Sequence, residues 1–128
     1  LRDLQYRFSS STVPEFALRH GPLCDMGGLY EIPLSGTYSA PFTVFDSWSF
    51  IESPYNPVVN TAYADAMIET VQRLLTLDVV GVLSYYVDPA HVYNNDVFYD
   101  ALKFVLDQKI PTLHLTQLLE ITYPWMKY

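Results

Sequence analysis

Apolar residues recur at steps of three and four over residues 60–77, where Ala64, Met67, Ile68, Val71, Leu74 and Leu75 fall on one side of a helix. Asn60 or Thr61 is placed to cap it. The same period returns over 97–108, with Val97, Phe98, Ala101, Leu102, Val105 and Leu106 as the inward face, Asp96 as the cap and Lys109 at the end. Between these helices, residues 79–87 form a short β-branched and aromatic run. It predicts a buried central strand opening into a polar loop over 88–95. Leu29, Ile32 and Leu34 predict a further strand over 29–35, with Pro33 placing it at an edge or at a strand's end. Residues 110–115 read as a short strand, after which Thr116 caps a last helical turn or two through Leu118, Leu119 and Ile121. Strands alternating with helices predict an α/β fold with parallel pairing and flanking helices, so chemistry is expected at the C-terminal ends of the strands.

The remaining chain is less periodic. Residues 1–28 mix Ser9-Ser10-Ser11-Thr12, Pro14 and Gly21-Pro22 with little apolar pattern, and read as an irregular lead-in. Residues 36–57 are a long loop rich in Gly, Ser, Thr and Pro that carries Phe42, Phe45, Trp48 and Phe50. Such aromatics are costly to leave in water, so the loop is expected to fold against the body. At 128 residues the chain is expected to form one domain.

Composition narrows the partners. A net charge of −7 with only seven scattered Lys and Arg disfavours a phosphate backbone, so no nucleic-acid partner is expected. Hydrophobic residues reach 50% against 16% charged, which argues against disorder and for apolar surface covered by something larger. No apolar run of 18 residues occurs, so no membrane span is expected. The start at Leu1, without Met, reads as a processed product or a piece of a longer chain. Cys24 stands alone, which excludes an internal disulfide, and no paired-Cys, HExxH or Gly-rich phosphate motif assembles a metal or nucleotide site.

His91 is the leading candidate for chemistry. A histidine just past a buried strand is placed for acid or base work near neutral pH, and Asp88 three residues earlier can orient it. Asp88-Pro89 is also a common turn opener, so both residues could serve the turn instead. Asp46 and Trp48 could pair a carboxylate with a sugar-stacking ring, or be a capping Asp beside a buried Trp. Glu31 could face a cleft at its strand end, although an exposed edge carboxylate is commoner. His114 reads as a sheet residue and His20 as solvated.

Over residues 29–122 the chain resembles the polysaccharide deacetylases of the NodB-homology type. Leu29-Tyr30-Glu31-Ile32-Pro33-Leu34-Ser35 resembles their "EIPVS" strand. Val82-Leu83-Ser84-Tyr85-Tyr86-Val87-Asp88-Pro89 is similar to the late strand that ends in a His-Pro or Leu-x-His signature, and Ile110 to Leu118 to the closing strand and helix. The resemblance implies the C-terminal half of a distorted (β/α) barrel that removes acetyl groups from N-acetylated sugar polymers. It implies a divalent metal, zinc by expectation, whose ligands lie outside this chain, a missing N-terminal half as partner, and an extracellular or cell-envelope setting. Asp88 stands where the family has its late histidine, with His91 three positions on. The implied site is His91 with Asp88, with Trp48, Asp46 and Glu31 toward substrate. Alternatives from other classes are a non-catalytic carbohydrate-binding module and a glycosidase-type barrel fragment using Glu31 or Asp46.

Overall fold

The computed structural model describes residues 4–51, 60–78 and 81–126. In chain order the elements are β1 (Phe8–Ser9), α1 (Pro14–His20), β2 (Cys24–Asp25), β3 (Tyr30–Glu31), α2 (Ser47–Ile51), α3 (Asn60–Leu75), α4 (Pro89–Val92), α5 (Asp96–Asp107) and α6 (Leu115–Met126). Residues 4–28 are therefore more ordered than their composition suggests. Pro14, whose ring presets the helical φ, opens α1, and Gly21 closes it at φ 85°, a left-handed angle that favours glycine.

The three strands form one sheet in the order β1-β3-β2, with β1 parallel and β2 antiparallel to β3. Backbone pairing runs on past β3: the N–H groups of Ile32 and Leu34 donate to Ser9 and Thr12 on one side, and Ser35 N–H donates to Ser84 on the other. Pro33, which has no N–H, falls where the chain needs no donor toward β1. The strand over 29–35 is thus two residues of ladder and an extended continuation.

The expected central strand is the larger revision. Residues 79 and 80 lie outside the described residues. Residues 81–87 run extended but make a single parallel bridge, Tyr86 to Asp46. Their neighbours are short irregular stretches, Ser35 and 45–47, so the run is half-buried rather than a buried central strand. Residues 110–114 form no strand. His114 instead precedes α6, and its N–H donates to Gln117 Oε1 at 2.9 Å, the return bond of a capping box. That arrangement, not Thr116, opens the helix.

The two periodic helices are where the pattern put them. Ala64, Met67 and Val71 of α3 are buried, and Phe98 and Ala101 of α5 pack against the same face. Leu75 and Leu106, expected inward, are exposed, because each lies on the last turn of its helix beyond the contact. The cap of α3 lies outside the described side chains. Asn95 caps α5, its Oδ1 accepting Phe98 N–H, one residue ahead of the expected Asp96.

Two apolar clusters result. The larger joins Phe45, Phe50, Tyr63, Met67, Phe98 and Ala101, and the smaller joins Leu23, Ile32, Leu118 and Leu119. Within the long loop, Phe45 just before α2 and Phe50 within it enter the first cluster, whereas Phe42 and Trp48 stay about half exposed. Gly36 lets that loop double back, since a Cβ there would fall on the Pro41 carbonyl.

Candidate functional site

The site is the junction of two segments, 45–48 leading into α2 and 86–91 leading into α4. Each is held by a cap. Asp46 Oδ1 accepts Ser49 N–H at 2.6 Å and starts α2, and Asp88 Oδ1 accepts Ala90 N–H at 2.8 Å and starts α4, with Pro89 at its first position. The two segments are bonded along their backbones, Tyr86 N–H to Phe45 and Ser47 N–H to Tyr86.

Ser47 ties them at the side-chain level. Its hydroxyl accepts Asp88 N–H at 2.7 Å and lies 2.9 Å from His91 Nδ1. Ser47 is 0% exposed, His91 half-buried, and Trp48, next in sequence, 49% exposed. Asp46, Trp48, Asp88 and His91, four of the residues singled out by the sequence, therefore lie on two segments that meet. The Asp88 carboxylate serves its turn, and the group that meets the His91 ring at Nδ1 is the Ser47 hydroxyl. The sequence pattern does not mark Ser47, because a serine between Asp and Trp has no periodic or motif signal. Its importance comes from a bond spanning 44 positions.

A serine hydroxyl on an imidazole is also the arrangement of a nucleophile and its base. Here Ser47 is sealed from solvent and its oxygen already accepts a backbone N–H, so no acyl carbon can approach it. The pair orients His91 instead.

Glu31 lies elsewhere. It is 4% exposed, and its carboxylate accepts from both N–H and both hydroxyl groups of Ser11 and Thr12 at 2.8–3.4 Å. Burial works to raise its pKa, but the donors of residues 9–12 together outweigh it and hold the carboxyl below its ordinary value. It pins the lead-in to β3 and takes no part in the junction, a correction to the expectation that it faces a cleft.

Tyr63 borders the site from beneath. It is 2% exposed among Phe45, Phe50 and Phe98, and among the described residues its hydroxyl has no hydrogen-bond partner. Burial, then the neighbouring Tyr85 and Asp46, push its pKa well above the usual tyrosine range. An apolar cavity of about 540 Å³ is separate again, bordered by Ile32, Val71, Leu74, Val82, Val105 and Leu118.

Among the described residues, no group of three or more His, Cys, Asp and Glu stands close enough to hold a metal ion, and no helix is long and apolar enough to cross a membrane. Compared with protein families, curated proteins and solved structures, the chain matches none.

Proposed function

We propose that the chain is the C-terminal portion of a polysaccharide-deacetylase-like hydrolase acting on N-acetylated sugar polymers, with His91 at the edge of its sugar cleft. The observation that supports it is the meeting of 46–48 with 88–91. Two segments distant in sequence meet, one carrying the His91 imidazole and Asp88 and the other Asp46 and the half-exposed Trp48 indole, residue types suited to a sugar ring carrying an amide. Asp88 and Asp46 shape the two turns, and Trp48 is the stacking surface. In this reading the distorted (β/α) barrel is completed, and the divalent metal held, by sequence outside these 128 residues. Among the described residues there is no ligand set for that metal.

The test is acetate release from N-acetylated oligosaccharides by the longest polypeptide that contains this chain. Activity is expected there and absent from the 128 residues alone. His91→Ala is expected to lower turnover by about 10²- to 10⁴-fold, the contribution of a general acid or base. Unchanged turnover removes His91 from the chemistry. Release of reducing ends instead of acetate establishes the glycosidase alternative, which depends on a carboxylate pair. Sugar binding without either product establishes the binding module.

A further inference from the structure

We propose that Tyr86 contacts the substrate, its ring stacking on one face of a sugar while the Oδ2 oxygen of Asp46 accepts a hydroxyl of that same sugar. The proposal rests on the hydrolase reading. It adds to Trp48 a second aromatic surface, on the opposite segment of the junction, that the sequence pattern did not mark.

The placement follows from one bridge. Asp46 and Tyr86 are partners in a parallel pairing, held by Tyr86 N–H donating to the Phe45 carbonyl at 3.2 Å and Ser47 N–H donating to the Tyr86 carbonyl at 3.1 Å. Side chains alternate between the two faces of such a pair, and bridge partners share a face, with the backbones about 4.8 Å apart. The neighbours show which face is which. Phe45 and Ser47 are fully buried, and the Tyr85 ring packs on Phe45 with centroids 5.8 Å apart. Residues 45, 47 and 85 therefore take the core face. Asp46 and Tyr86 take the other, side by side, and Tyr86 is half exposed.

The pair has the two characters that a sugar ring requires. A phenol ring offers an apolar face to the C–H groups, and a carboxylate oxygen accepts from a hydroxyl on the rim. Asp46 Oδ1 is taken by Ser49 N–H, and among the described residues Oδ2 has no partner. Tyr93 and Tyr99 are exposed as well, but neither has a carboxylate opposite it in a strand pairing. The Tyr86 backbone is bonded through both its N–H and its carbonyl, so the ring is left with two rotatable bonds and loses little freedom when a sugar lies on it.

The test uses the longest polypeptide that contains this chain, with the hexamer of N-acetylglucosamine as probe, and measures calorimetric Kd beside KM and kcat for acetate release. Tyr86→Ala is expected to raise Kd and KM by roughly tenfold, the worth of one aromatic contact, and to leave kcat unchanged. Tyr86→Phe keeps the ring and should bind as the wild type does. Asp46→Asn keeps the α2 cap and removes the charge, and should also weaken binding. Tyr93→Ala is the control and should change neither constant. Unchanged Kd and KM in Tyr86→Ala overturn the proposal, as does an equal loss in Tyr86→Phe, which would make the hydroxyl the contact. If Tyr86→Ala does not fold, ring signals of wild-type Tyr86, assigned through Tyr86→Phe, decide instead, and signals unmoved by bound hexamer overturn the proposal. Hexamer bound on Tyr86 without acetate release overturns the hydrolase reading alone. Acetate release indifferent to Tyr86→Ala overturns this proposal alone, and a wild type that does not bind the hexamer overturns both.

Discussion

Glu31 shows how a residue type misleads until its partners are known. A carboxylate next to Tyr30 on a short strand reads as exposed or cleft-facing, yet it is buried under donors from Ser11 and Thr12. Glu31→Gln is expected to cost about 1–3 kcal/mol at pH 7, because it weakens bonds to N–H groups that are not otherwise satisfied. The pH dependence has a definite sign. The folded pKa lies below the ordinary 4.5, so the stabilisation is complete above that value and is lost as pH falls through the folded pKa. Urea midpoints of wild type and Glu31→Gln should therefore converge in acid. Tyr63 carries the opposite expectation. Its hydroxyl is buried without a partner among the described residues, so Tyr63→Phe should be neutral or stabilising by up to about 1 kcal/mol in the same measurement. Because burial raises its pKa, the stability it contributes is present below the unfolded tyrosine range and falls away in alkali as pH rises toward the folded value.

Among the elements, long amphipathic helices were legible and short strands were not. The faces of α3 and α5 could be named in advance because a helix repeats its inward position every three or four residues regardless of its neighbours. Ala101 sits at 0% exposure where these helices cross, so Ala101→Leu is expected to destabilise by about 1–3 kcal/mol through overpacking, read as a lower thermal midpoint. Asn95→Ala, which removes the α5 cap, should cost about 1 kcal/mol and show as reduced helicity on heating. Residues 81–87 and 110–114 carry the composition of strands, but a strand exists only where a neighbour supplies donors and acceptors. Ser35 and Phe45 supply these for part of the first run. The second instead gives His114 to the start of α6.

At the scale of the molecule, an acidic surface covers a chain that still exposes large apolar groups, among them Leu18, Phe42, Tyr93 and Leu106. Net charge is what keeps copies apart, and it vanishes near pH 4.6. Light scattering is expected to peak around that pH and fall on either side, and a flat profile would show that the exposed groups do not associate. The same apolar excess fits a chain that completes its surface against further polypeptide, as the hydrolase reading requires.

The sequence by itself determined the two main helices, their buried faces, the acidic character, and the neighbourhood in which chemistry was sought, because periodicity, charge and turn residues are local properties. It named Asp46, Trp48, Asp88 and His91 without showing that they belong together. The tertiary structure alone decided that the segments carrying them meet, that Glu31 lies elsewhere, and that Ser47 holds the junction. Those outcomes depend on hydrogen bonds between segments distant in sequence, 41 and 44 positions apart at Ser47 and 19 and 20 at Glu31, where the partner is set by the folded path of the backbone and not by the residues on either side.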